Sequence, residues 1–207
     1  MCGNGSSRPP NRAAAVRPWL AIAAALLLAA CAAQRPVNLP DLSAWDTRQQ
    51  VLAGLDEWGF TGRVAVRTED DGFNAKLRYE HNHGEFSAVV SGPLGMGTVE
   101  LESDAGAVRY TDKDGVESRF AAEELAWRFG WNVPLDSLRY WALGIPDPDQ
   151  AAETTLNESG QLESLRQGAW TVDVGRYRDI GGQVMPARLT VSNTETRVRL
   201  VIDRWRL

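Results

Sequence analysis

One thiol, Cys31, stands at the end of an apolar run and is the residue of this chain best placed for covalent chemistry. The other cysteine, Cys2, lies upstream of that run. Beyond Cys31 there is therefore no material for a disulfide, a thiolate metal site or a cysteine nucleophile. His81-Asn82-His83, flanked by Glu80 and Glu85, offers two imidazoles to a metal. No third ligand is close, and Asn82-His83-Gly84 reads as a hairpin turn, so solvated turn histidines are the favoured reading. Asp70-Asp71 and Glu123-Glu124 pair carboxylates as acid–base work would require, but their settings suit a turn and a helix start. Glu80 and Glu100 fall on separate strands, and no spacing joins them. Arg63, Arg67, Lys76 and Arg78 could form a basic stripe towards anionic lipid, although a solvated sheet face explains them more simply. The chain has no Gly-x-Ser-x-Gly elbow, P-loop or HExxH. Ser91-Gly92-Pro93-Leu94-Gly95 is not an elbow, because no helical pattern follows it.

The apolar run ahead of Cys31 is Trp19 to Ala30, twelve residues, preceded by Arg8, Arg12 and Arg17 with no acid. A positive region, an apolar stretch and a small-residue site form a signal-peptide pattern. Twelve residues are too few to cross a ~30 Å hydrocarbon core as a helix. Leu28-Ala29-Ala30-Cys31 resembles the lipobox of bacterial lipoprotein precursors. That resemblance implies cleavage before Cys31, lipid on its sulfur and an acylated amino group. The competing reading is an ordinary secretory signal that happens to end in cysteine. Ala32 follows in place of the Asp that commonly retains lipoproteins in the inner membrane, which favours the outer membrane. The expected organisation is a signal peptide at 1–30, a lipidated tether at 31–42 and a single domain at 43–207.

Removing 1–30 leaves 177 residues with 19 basic and 27 acidic side chains, a formal charge of −8. That length is enough for one domain with a real core. The acidic balance argues against nucleic acid, which selects basic faces.

The elements follow from periodicity. Ala32 to Pro40, with two prolines, reads as an extended tether. Ser43 looks like an N-cap, and Trp45, Val51, Leu52, Leu55 and Trp58 fall near helical spacing, which predicts a helix over 43–58. From Phe60 the period becomes two. Val64 and Val66, then Phe73 to Tyr79, then Phe86, Ala88 and Val90, then Val99 and Leu101, then Val108 and Tyr110 alternate with polar residues. Asn82-His83-Gly84, Asp104-Ala105-Gly106 and Asp112-Lys113-Asp114-Gly115 supply the turns of an antiparallel meander. Helical spacing returns at Ala121, Leu125 and Phe129 and ends at Gly130. A second helix over Leu135, Leu138, Trp141 and Ala142 is stopped by Gly144 and Pro146. Strands resume at 153–157, 161–167, 169–176, 184–192 and 196–204. The predicted fold is mainly β with inserted helices. A curved antiparallel sheet of about eleven strands forms an open, unclosed barrel, with helices over its concave side.

After the signal the chain retains seven tryptophans, Trp45, Trp58, Trp127, Trp131, Trp141, Trp170 and Trp205. Each can be a core ring, the commoner fate, or part of an apolar cavity sized for acyl chains. Tyr79, Phe86, Phe129, Trp131, Trp141, Trp170 and Trp205 are the candidate lining.

Five segments occur in order. They are Gly62-Arg63-Val64-Ala65-Val66, Ser91-Gly92-Pro93-Leu94-Gly95, Gly130-Trp131-Asn132-Val133-Pro134-Leu135, Trp141-Ala142-Leu143-Gly144-Ile145-Pro146-Asp147-Pro148 and Leu200-Val201-Ile202-Asp203-Arg204-Trp205. With the lipobox ahead of them, they resemble the LolB family from residue 60 to the end. The resemblance implies an unclosed barrel and a role in transfer, not catalysis. A client's acylated end passes from a LolA-type periplasmic carrier into an apolar cavity and then into outer-membrane lipid. It implies no cofactor or nucleotide, and a monomer is expected. It also implies that Leu94, in a loop with Pro93, Gly95 and Met96, enters the membrane. A departure is the longer, Gly- and Pro-containing stretch before the apolar run, which bears on nothing after Cys31. The residue-level alternatives are a structural or peptidoglycan-associated lipoprotein without a cavity, and a hydrolase acting on lipid or sugar.

Overall fold

The computed structural model describes residues 44–92, 97–121, 124 and 134–207, all within the unit Pro36–Leu207. Cys31, the loop residues Pro93, Leu94, Gly95 and Met96, and the rings of Phe129 and Trp131 lie outside the described residues.

Helix α1 spans Trp45–Ala53 and ends at Gly54. It is shorter than the predicted 43–58. Its N-cap is Ala44, with no side-chain bond, and Ser43 lies outside the described residues. Trp58 belongs instead to strand β1, Glu57–Arg67. Leu55 and Trp58 mimic helical spacing, but Gly54 releases the chain and the Trp58 ring is needed on the sheet, where it is 2% exposed. Strands β2 (Gly72–Asn82), β3 (Glu85–Ser91), β4 (Thr98–Asp104), β5 (Ala107–Thr111) and β6 (Glu117–Phe120) follow as a meander. Helix α2 is Leu135–Leu143. A second meander holds β7 (Glu153–Leu156), β8 (Leu162–Gln167), β9 (Trp170–Ile180), β10 (Gln183–Ser192) and β11 (Arg197–Arg206). Two-residue turns with both central φ angles positive, His83-Gly84 and Ala105-Gly106, join β2 to β3 and β4 to β5, the hairpin geometry that matches strand twist.

All eleven strands form one antiparallel sheet in the order β6-β5-β4-β3-β2-β1-β11-β10-β9-β8-β7. The first and last strands pair along their length, from Gly59↔Arg206 to Arg67↔Arg197, and so fuse the two meanders. The register shifts at Thr61/Gly62. A Cβ on Gly62 would run into the Val201 carbonyl oxygen, so this close approach of two backbones requires glycine. Among the described residues neither β6 nor β7 has a second partner strand, and the sheet is unclosed.

One face of the sheet is apolar. Val64, Val66, Leu189, Val191, Val198 and Leu200 point to it, and α1 and α2 pack there in the main core with Trp141, Leu143, Leu162 and Met185. Arg48 on α1 is buried, and its Nη2 donates to the Val184 carbonyl at 2.8 Å, tying the helix to β10. A smaller cluster, Ala88, Leu101 and Val108, lies under β3 to β5. The other face is charged. Arg63 on β1 makes a two-pronged ion pair with Asp203, at 2.9 and 3.2 Å.

Candidate functional site

The two apolar clusters meet through the half-buried Leu77 and Tyr79. Between the clusters lies a cavity of about 90 Å³, walled by β1, β2, β3, β4, β10, β11 and α2. Strands β4 and β10 both contribute, through Leu101 and through Leu189 and Val191. They are five strand steps apart in the sheet order, roughly 24 Å if the sheet were flat. Sharing one small cavity therefore requires strong curvature, with the apolar face inside.

The walls come from alternation. Phe60, Val64 and Val66 on β1, Leu77 and Tyr79 on β2, and Phe86, Ala88 and Val90 on β3 are inward residues of their strands. Cross-strand register places Phe60 opposite Tyr79 and Tyr79 opposite Ala88. The rings form a file: Phe60 to Tyr79 is 5.4 Å between centroids and Tyr79 to Phe86 is 6.1 Å, both stacked. On the helix side the wall is Leu135, Leu138, Arg139 and Ala142, the i, i+3, i+4 and i+7 positions of one helical face. Arg139 is thus a charged residue at an apolar slot.

Burial works against charge on two polar groups near Arg139, Tyr79 on the cavity wall and His81 in the adjoining hollow. Burial pushes the Tyr79 hydroxyl well above the ordinary phenol range; the Arg139 cation opposes this and Asp136 adds to it. Burial lowers the His81 imidazole, Arg139 lowers it further, Asp56 pulls it up and His83 depresses it again. His81 is 6% exposed, with its ring 5.6 Å from Trp58. It is therefore not the solvated turn residue expected from the sequence. His83 is that residue, with φ of 50° and its Nδ1 against Asn82 Oδ1. The difference arises because His81 is still on β2, opposite Trp58 and Phe86, and its inward side is core.

Of the aromatic residues proposed as lining, Tyr79 and Phe86 are on the cavity wall. Trp141, Trp170 and Trp205 stand apart from it in the main core. Their rings follow the need of an indole N–H for an acceptor. Trp141 Nε1 donates to Gln167 Oε1 at 2.8 Å and Trp205 Nε1 to the Pro186 carbonyl at 2.8 Å. Trp170 leans on Trp141, 6.3 Å between centroids. The sequence reading missed the aliphatic walls and Arg139. The signal for both was present, in the inward alternation of β10 and β11 and in an arginine interrupting the Leu135/Leu138/Ala142 stripe.

The hairpin that carries 93–96 is closed by Gly92, whose N–H donates to the Gly97 carbonyl at 3.2 Å. Ser91 and Thr98 face one another just below, with hydroxyls 3.3 Å apart.

A family model for outer membrane lipoprotein LolB matches residues 56–205. The chain is 32% identical to the outer-membrane lipoprotein LolB of Chromohalobacter salexigens over 98% of its own length and 96% of that protein's. It is 33% identical to the LolB of Nitrosococcus oceani, covering 88% and 93%, and 31% identical to that of Pseudomonas aeruginosa, covering 92% and 96%. Among solved structures it overlaps a DUF1329 family protein from Desulfovibrio piger with a TM-score of 0.49 at 7% identity, covering 77% and 89% of the two chains. It overlaps the LolA superfamily protein NE2245 from Nitrosomonas europaea with a TM-score of 0.45 at 8% identity, covering 74% and 87%.

Proposed function

Because this chain belongs to the LolB family of outer-membrane lipoproteins, we propose that it is the lipid-anchored receptor that takes lipoproteins from a LolA-type carrier and passes them into the outer membrane. The observation that supports the reading is the cavity, whose wall carries one charged residue and is otherwise hydrocarbon and aromatic apart from a tyrosine hydroxyl. Such a space suits acyl chains and offers little to a polar substrate. The work is transfer and needs no catalytic group.

In this reading residues 1–30 are removed, Cys31 carries the anchor, 31–42 is the tether and the rest is the receptor body. Each buried methylene of the anchor contributes ~0.8 kcal/mol, and durable attachment needs more than one chain. Transfer without an energy source must run downhill. A preference of ~1.4 kcal/mol at each hand-over gives a tenfold bias, so the cavity must hold chains better than the carrier does and less well than the bilayer. Carrier and receptor meet opening to opening, keeping the chains out of water, and the receptor works as a monomer.

Leu94 has the second role. Burying one leucine in lipid yields about 1.5–3 kcal/mol, too little to anchor the protein but enough to orient the cavity mouth. Leu94→Glu is expected to accept clients from the carrier and to fail in delivering them to membranes; normal delivery by that variant would overturn the assignment. The receptor reading itself is tested by displacement of a fluorescent acyl probe. A triacylated lipopeptide should compete, and absence of probe uptake would favour a structural lipoprotein instead.

A further inference from the structure

Arg139 is the charged residue in the wall of an otherwise apolar cavity, and it also lines the small hollow beside His81 and Tyr140. Its Nε is buried and has no hydrogen-bond partner. Its Nη2 donates to the Tyr140 hydroxyl at 2.7 Å, and its guanidinium lies 4.5 Å from that ring's centroid. No ion pair among the described residues includes it. A guanidinium cannot shed its charge, and a buried donor left unmade is costly. The position sits on the apolar stripe of α2, where a leucine would pack without that cost. A ligand that brings an acceptor would remove it.

We infer that Arg139 is a polar clasp for the carbonyl oxygens that join acyl chains to the client's lipidated cysteine. The inference rests on the receptor reading given above. Acyl chains on such a cysteine are held by ester and amide linkages, whose carbonyls are neutral acceptors at the head of each chain. Nε and the remaining guanidinium N–H groups donate to these oxygens. The tails then extend along Leu77, Val90 and Leu101 on one side and Val198 and Leu200 on the other, all on the wall. Asp136 at Tyr79 and Asp56 at His81 offset part of the positive potential that Arg139 creates there. Fixing the heads of the chains sets how deep a client enters and which end leads on exit.

The test compares two diacylated lipopeptides of equal chain length with a free amino terminus, one ester-linked and one with ether linkages in place of the esters so that no acyl carbonyl remains, by displacement of an acyl probe from the lipidated or mature protein. A hydrogen bond from a charged donor supports an expected preference of about tenfold or more for the ester compound. Arg139→Met should lose that preference and bind both as the parent binds the ether. Equal affinity of the parent protein for the two compounds overturns the clasp, and needs no variant. A preference retained in Arg139→Met, or an equal loss for both compounds, also overturns it. Binding of neither by the parent would instead sink the receptor reading, and the clasp with it.

Discussion

Gln167 uses both ends of its amide. Its Oε1 accepts from Trp141 Nε1 and from the Asp147 N–H, while its Nε2 donates to the carbonyls of Asp147 and Gln150. The Asp147 carboxylate, in turn, accepts from Ser137 Oγ and Gln150 Nε2 at 2.7 and 2.9 Å. A fully satisfied buried network of this kind fixes one arrangement of the core. Gln167→Ala leaves an indole N–H and a backbone N–H without partners and takes a donor from each of two carbonyls, and an expected stability loss of about 3 kcal/mol or more should appear in urea unfolding. A loss below about 1 kcal/mol would mean that water replaces the amide. His81 gives a pH dependence. Its folded-state pKa is lowered, by burial first and by Arg139 next. As pH falls below about 6.5 the unfolded chain takes up a proton that the folded chain refuses. Stability should therefore fall with pH from that point and level off once the folded pKa is passed. His81→Phe should show a smaller difference in urea midpoint between pH 7.5 and 5.5 than the parent. Neither residue's burial was visible in the sequence. Gln167 ends a strand and His81 nears a turn, positions where polar residues are ordinarily wet, and only the packing of α2 and β1 over them excludes water.

Helix α2 was readable in outline because its stop is local. Gly144 adopts φ of 75° and its N–H bonds back to the Trp141 carbonyl. A Cβ there would also meet Pro186 Cγ at 2.9 Å and Tyr177 Oη at 3.0 Å. Gly144→Ala thus combines a left-handed backbone, at ~1–2 kcal/mol, with a clash against a sheet proline. It is expected to lower the thermal midpoint by several degrees, and an unchanged midpoint would show that β10 gives way at Pro186. The strands were readable for the same reason, since period-two alternation and turn glycines act within a few residues. Strand β6, Glu-Ser-Arg-Phe, carries its alternation on a single apolar residue, Phe120, and is held by its pairing with β5, from Val108↔Phe120 to Thr111↔Glu117. The length of α1 was misread because Leu55 and Trp58 continue a helical spacing by coincidence, while pairing of β1 with β2, Trp58↔His81, claims Trp58 for the sheet.

At the scale of the body, the apolar face is filled unequally. Strands β8 and β9 face the main core alone, whereas β1 to β4, β10 and β11 share their inner face with the cavity. An aromatic count could not separate these regions, because a tryptophan that fills a core and one that walls a cavity look alike in sequence. Ala88 sits at the boundary, between Tyr79 and Leu101 on its neighbouring strands. Ala88→Trp should occupy the free space, abolish uptake of an acyl probe and leave the urea midpoint near that of the parent; undiminished uptake would place the chains elsewhere. The cavity's size matters too. About 90 Å³ is well short of the ~300–1,000 Å³ of ordinary small-molecule pockets, so cargo with long tails must enlarge it. In a complete barrel the girth is locked by strand number and stagger. Here, among the described residues, β6 and β7 leave a seam, so the girth is not locked and the wall is free to act as a leaf spring rather than a hoop. It can flex outward to swallow loads of different bulk and recoil behind them with every rung of its ladder intact.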